Sequence, residues 1–210
     1  MKTVIINYGS GNIESVFNAA NSVKNPNHEI IISNDCSIIK SATSLILPGV
    51  GSFADCMSGL KSISGLVEEL RKQVIVEKKP FLGICVGMQV LASIGFEDGE
   101  HQGLNFISGK VEKIITAENL KVPHMGWNEI IIKPNKHQVL QQIKNGEHFY
   151  FANSYHFKSQ NENNELAHFE YGAKFCAIIA KENIFAVQFH PEKSGEAGLK
   201  LLKNFLDWRP

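Results

Sequence analysis

Five residues, Gly83-Ile84-Cys85-Val86-Gly87, restrict the fold of this chain more than any other stretch, because an apolar run ends there and a helical pattern begins. A strand that turns sharply into a helix around one presented residue leaves no room for side chains two positions before and after it. The two glycines frame such a turn. It lifts Cys85 out of a sheet and directs the first backbone N–H groups of the helix at its sulfur, which suits a thiolate and any oxyanion formed nearby. Read alone, the same five residues also fit a buried structural cysteine in a glycine-lined turn.

The surrounding pattern agrees with a strand-to-helix turn. Short apolar runs alternate with helical spacing through the first half, as in a parallel sheet with crossover helices. Residues 3–7, 29–33, 44–47 and 80–84 read as strands, and residues 12–23 as a helix through Ile13, Val16, Phe17 and Ala20. Residues 53–78 hold one or two helices with Leu60, Leu66, Val67, Leu70 and Val74 inward; past Gly87, Met88, Val90 and Leu91 predict a helix running a few turns further. The second half changes character. Residues 109–116, 129–133, 148–155, 166–171, 175–180 and 184–188 are strand candidates in a mostly antiparallel or mixed pattern, followed by a helix with Ala197, Leu201, Leu202 and Phe205 on one face. No linker or repeat divides the halves. The expectation is one α/β domain over residues 1–210: an open mixed, largely parallel sheet flanked by helices, with added antiparallel strands that return to it.

Composition narrows the function by exclusion. At 210 residues the chain buries a sizeable core. Its 21 acidic and 21 basic residues balance, which argues against nucleic-acid or acidic-membrane partners held by bulk charge. The start is too short in apolar residues for a signal peptide, and no stretch approaches the roughly 18 apolar residues of a membrane span. Cys36, Cys56, Cys85 and Cys176 form no CxxC pair, which suits a reducing cytoplasm. The eight histidines are scattered and read as mostly surface residues; no metal site or cofactor is expected.

A cysteine nucleophile needs a base, and the base needs an orienting acceptor. Phe189-His190-Pro191-Glu192 follows the last strand candidate and supplies both. In extended chain, side chains repeat their direction every second residue, so His190 and Glu192 face the same side while Pro191 stiffens the link. By itself the segment also fits a solvated strand-end turn. In Leu47-Pro48-Gly49-Val50-Gly51-Ser52, glycines flank Val50 at the end of a buried strand and free its peptide units to offer N–H groups to a substrate oxygen. An oxyanion hole would combine Val50 or Gly51 with Val86; a plain strand-ending turn fits as well. Gly9-Ser10-Gly11-Asn12 also follows a strand, but a dinucleotide fingerprint needs glycine at position 14, where Glu14 would repel a pyrophosphate. It reads as a turn and helix cap with an exposed polar tip for partner contact.

Taken together, Pro48-Gly49-Val50-Gly51, Gly83 to Gln89 and Gln188-Phe189-His190-Pro191-Glu192 resemble the class I glutamine amidotransferases. Asn7 to Asn12, Pro123-His124-Met125-Gly126-Trp127-Asn128 and Glu192-Lys193-Ser194-Gly195 extend the likeness from end to end, toward the glutaminase subunits of imidazole glycerol phosphate synthase. The resemblance implies a flavodoxin-like fold and a Cys-His-Glu site in which Cys85 attacks the side-chain amide of glutamine, His190 moves protons and Glu192 steadies the imidazolium. It assigns the amino-acid end of glutamine to Gln89, Glu97, Ser154 and Tyr155. It places Asn12, Trp127, Tyr150 and Lys193 toward a partner or an ammonia channel. The partner implied is a HisF-type (β/α)₈-barrel cyclase, because ammonia released into bulk water would be protonated and lost as a nucleophile. It also implies control of the Gly49-Val50-Gly51 donors by the bound partner.

Two positions depart from the family pattern. Ala152-Asn153 stand where a bulky aliphatic-His pair is usual, and Val86 where Leu is more common. Asn153 keeps open a paralogue that supplies ammonia for surface-sugar amidination. A free-standing cysteine γ-glutamyl hydrolase and a catalytically silent binding subunit are the other readings; the complete 123–128 block opposes the first, and joint retention of Cys85, His190 and Glu192 opposes the second.

Overall fold

A computed structural model describes residues 1–9, 12–116, 120–134 and 137–210; Ser10 and Gly11 of the first glycine turn lie outside the described residues. Along the first half run β1 (Lys2–Ile6), α1 (Ile13–Val23), β2 (Glu29–Ser33), α2 (Cys36–Ser41), β3 (Ser44–Gly49), α3 (Phe53–Ser62), α4 (Leu66–Arg71) with a π turn at Lys72–Val76, β4 (Phe81–Cys85) and α5 (Val86–Gln89). The second half holds β5 (Ile94–Gly95), β6 (His101–Gln102), β7 (Gly109–Lys113), β8 (His124–Glu129), β9 (Ile131–Ile132), β10 (His148–Asn153), β11 (Tyr155–Ser159), β12 (Glu165–Glu170), β13 (Lys174–Lys181), β14 (Ile184–Val187) and α6 (Gly195–Asp207).

The main sheet has the order β2-β1-β3-β4-β14-β13-β12-β9. Its first five strands are parallel and the last three antiparallel, so the mixed, largely parallel sheet is as expected. Residues of β3, β4 and β14 are buried throughout, because helices cover both faces of a parallel sheet and every side chain points into apolar surroundings. The helices sort into two groups: α1 packs on α6, while α2 and α3 pack on α4 and α3 also on α5. Parallel pairing of β14 with β4 brings Val187 beside Ile84, which sets the end of one strand next to the end of the other. That adjacency builds the site.

Several expectations are corrected. Residues 36–41, for which the sequence offered no reading, form α2, with Asp35 Oδ1 accepting from Ser37 N at 2.7 Å as its cap. The helix past Cys85 is a single turn rather than several. Residues 103–107 lie against the segment that follows it and take the carbonyls of residues 90–92: Leu104 N donates to Val90 O at 2.8 Å and Asn105 N to Ala92 O at 3.0 Å. Gly103 permits this approach, since a Cβ there would stand 2.1 Å from Ala92 O. Not all the later strands return to the main sheet; β10 pairs with β8, and β11, β7, β5 and β6 form a separate sheet. The 129–133 candidate divides between β8 and β9, and the 109–116 candidate ends at Lys113. The 148–155 candidate breaks at Ser154, where the chain changes pairing partner and Ser154 O accepts from Ile114 N at 2.8 Å. Of the eight histidines only His148 is exposed; His28, His124 and His190 are buried. Their rings pack in aromatic or hydrogen-bonded settings, as where His124 lies 5.2 Å from both Phe151 and Phe169.

Candidate active site

Cys85 ends β4 with φ 54° and ψ −114°, a conformation that a side chain adopts only when its surroundings impose it. Three glycines impose it. A Cβ on Gly83 would lie 2.7 Å from Gly87 O, one on Gly49 would lie 2.6 Å from Gly87 N, and one on Gly87 would lie 1.9 Å from Leu47 O. The backbones of β3, β4 and α5 therefore touch around the cysteine, and the turn read from the sequence is physically a three-way backbone contact.

His190 lies three residues beyond β14 and arrives beside Cys85 through the β14–β4 pairing. Its ring hydrogen-bonds Cys85, and its Nδ1 lies 2.8 Å from Glu192 Oε1. Glu192 is reached through a 3₁₀ turn at Pro191–Lys193, not along a straight strand; His190 alone keeps extended geometry at the turn's start. The side chains of His190 and Glu192 are 3% and 0% exposed. Burial alone would discharge the imidazole, but hydrogen bonds to Cys85 and Glu192, and their charges, outweigh it and raise His190 to about 10. The ring is held as an imidazolium between a sulfur and a carboxylate. Asn12, at the N-cap position of α1, makes no cap bond; its Nδ2 donates to the same Glu192 Oε1. The cap reading is thus replaced by a bond across 180 residues of sequence that orients the carboxylate.

The remaining predicted positions divide. Gly51 has φ +92° just ahead of α3, and Val50 lines a cavity of about 240 Å³ with Tyr8 and Cys56. Tyr8 OH donates to Pro48 O at 2.8 Å and Cys56 Sγ to Val50 O at 3.5 Å, so the segment is braced from behind. Val86 opens α5 with its N–H next to Cys85. Gln89 Nε2 donates to Tyr155 O at 3.1 Å, which brings Gln89 and Tyr155 together. Glu97 is held at the start of α3, where its Oε2 accepts from Phe53 N at 2.7 Å. Burial raises its carboxyl pKa, partly offset by that bond, and its charge helps raise Tyr155 after burial, so the two are neighbours. Asn153 is 5% exposed; its Nδ2 donates to Tyr155 O at 2.9 Å, and its buried Oδ1 has no partner.

Trp127, Tyr150 and Lys193 form one surface cluster. Trp127 pairs with Tyr150 across β8 and β10, their rings meet edge-on at 6.1 Å, and Lys193 Nζ sits 5.9 Å above the Tyr150 ring. Trp127 is 57% and Met125 67% exposed on the outward side of β8. Lys193 follows Glu192 directly, so this apolar face adjoins the buried triad. Two residues were missed. Ser194 Oγ donates to His190 O at 2.6 Å and accepts from Tyr150 N at 3.0 Å, locking the turn to β10. Gln188 Nε2 lies 3.8 Å from Cys85 Sγ. Their positions beside His190 in sequence were the available signal. Among the described residues, no group of three or more His, Cys, Asp or Glu side chains is placed to hold a metal ion.

The chain matches the family model described as "Glutamine amidotransferase class-I" over residues 4–208. It is 45% identical to the imidazole glycerol phosphate synthase subunit HisH of Rhodospirillum rubrum, with all of both chains covered. Identity to the HisH subunit of Aquifex aeolicus is 42%, covering 98% of this chain and 96% of that one. Among solved structures, PurLQS from Thermotoga maritima superposes with a TM-score of 0.74 at 18% identity, covering 98% of this chain and 97% of that chain. A structure described as a glutamine amidotransferase gives 0.73 at 20% identity, covering 97% of each. These two likenesses concern the fold.

Proposed function

This chain belongs to the class I glutamine amidotransferase family, and from that premise we propose that it is the glutaminase subunit of an imidazole glycerol phosphate synthase. Residues 1–210 act as one amidotransferase domain that hydrolyses glutamine to glutamate and passes the ammonia to a HisF-type barrel cyclase in histidine biosynthesis. The observation that carries the reading is the buried chain of contacts from Cys85 through His190 to Glu192, with Nδ1 and Oε1 2.8 Å apart. Four cysteines in the thiol form fit a cytoplasmic enzyme, and among the described residues no helix is long and apolar enough to cross a membrane.

The chemistry follows from the geometry. Cys85 presents a thiolate beside an imidazolium and attacks the amide carbon of glutamine; its sulfur–carbon bond forms as the carbonyl electrons move to oxygen. Val86 N–H, with Val50 or Gly51, holds that oxyanion. His190 gives its proton to the departing ammonia, then takes one from the water that opens the γ-glutamyl thioester. Glu192, fixed by Asn12, keeps the ring turned through both transfers and steadies its imidazolium form before the first and after the second. Gln89, Tyr155, Ser154 and Glu97 hold the amino-acid end of the substrate. Trp127, Tyr150 and Lys193 face the cyclase, and Asn12 links that face to the triad.

Glutamate release by the purified chain, alone and with a HisF-type cyclase, tests this. Stimulation by the cyclase is the expected result. Equal strong activity without it would instead indicate a free-standing hydrolase.

A further inference from the structure

Cys85 has a second hydrogen-bonding neighbour, which the reaction above does not use. Gln188 is wholly buried, and its Nε2 lies 3.8 Å from Cys85 Sγ, within reach of the large sulfur atom. Which end of an amide faces a neighbour is decided by the network around it. Here the network begins at a main-chain carbonyl. Tyr155 O accepts only, so the Gln89 atom 3.1 Å away is its nitrogen. The other hydrogen of that nitrogen points to Gln188 at 3.0 Å, so the Gln188 atom facing it is oxygen. Gln188 must then turn its own nitrogen to the sulfur. Asn153 Nδ2 fills the second lone pair of Tyr155 O at 2.9 Å, which leaves that carbonyl no alternative engagement.

We propose that Gln188 is a catalytic residue: its amide N–H donates to Cys85 Sγ and favours thiolate over thiol, with the polarity set by the Tyr155 carbonyl through Gln89. A thiolate is a strong acceptor and a thiol sulfur a weak one, so a donor held in this direction acts on the charged form. His190 supplies the charge beside the sulfur. Gln188 supplies a second, neutral donor whose N–H does not titrate.

The proposal rests on Cys85 being the nucleophile, and one set of samples separates the two. Iodoacetamide alkylation of the full chain is followed across pH, with modification of the Cys85 peptide read by mass spectrometry and glutaminase activity read in parallel. Loss of activity in step with Cys85 alkylation supports the nucleophile; activity that survives full alkylation overturns it, whatever Gln188 does. Gln188→Met, close in shape but without the N–H, moves the alkylation profile to higher pH and slows it roughly ten- to a hundredfold at neutral pH, the worth of one hydrogen bond to a charged group. Gln188→Glu moves it further, because a carboxylate replaces the donor. Gln89→Met moves it in the same direction by less, since Gln188 then turns freely although Gln89 does not touch the sulfur. This ordering is also readable in any two of the variants should one fail to fold. Profiles that coincide with wild type, while alkylation still abolishes activity, overturn the role of Gln188 alone.

Discussion

Replacing Glu192 by glutamine removes a charge from the site while leaving its shape. Two donors, His190 Nδ1 at 2.8 Å and Asn12 Nδ2, converge on the single oxygen Oε1. An amide at this position must therefore place its oxygen there, and His190 keeps its tautomer. The amide nitrogen falls where Oε2 is, buried and without a partner. Opposite charges 2.8 Å apart interact by about 6 kcal/mol at an effective dielectric constant of about 20. A neutral oxygen retains a good part of that through its hydrogen bond, which leaves a loss of roughly 3 kcal/mol when the imidazolium forms. The expected outcome for Glu192→Gln is a fall in glutamine-dependent turnover on the order of a hundredfold, measured as glutamate release with saturating cyclase. Turnover from added ammonium should stay at the wild-type level, since it bypasses the site. Glutaminase activity within threefold of wild type would refute the reasoning.

The elbow, the exposed aromatic face and the proton balance give three more tests. Gly87→Ala sets a Cβ 1.9 Å from Leu47 O, a backbone atom that cannot yield, and should lower unfolding stability in urea by roughly 3 kcal/mol or more. Trp127→Ala should leave the fold intact yet weaken binding of the cyclase about thirtyfold, a loss of roughly 2 kcal/mol for a central aromatic anchor, read by titration calorimetry. His190 is raised from 6.5 to about 10, so the folded state retains a proton that the unfolded chain releases in that interval. Its contribution to stability is complete below pH 6.5 and declines as pH rises toward about 10; urea midpoints across that range should show a decline that His190→Gln lacks.

Much of this was legible in the residues because close packing leaves strong local marks. Gly49, Gly83 and Gly87 are glycine since backbones meet there, and Gly83 and Gly87 mark the Cys85 turn in the sequence itself. The buried parallel strands read equally clearly, being short runs of mostly apolar residues. What the sequence concealed depends on contacts between distant segments. The helix after Cys85 stops after one turn because residues 103–107 capture the carbonyls of residues 90–92 that its next turn would use, and nothing within residues 86–92 signals that. The strand through residues 148–155 breaks because its two ends pair with different sheets. Asn12 is the clearest case: its position suggests a helix cap, and only the tertiary fold brings it onto Glu192. Glu97 likewise sits on the start of α3, an engagement that spacing alone does not reveal.

The account stands or falls on Cys85 as the source of ammonia. Cys85→Ala, assembled with the cyclase, should show no glutamate release and no glutamine-dependent cyclase turnover, while turnover with added ammonium continues at the wild-type rate. Glutamine hydrolysis that persists in this variant would contradict it.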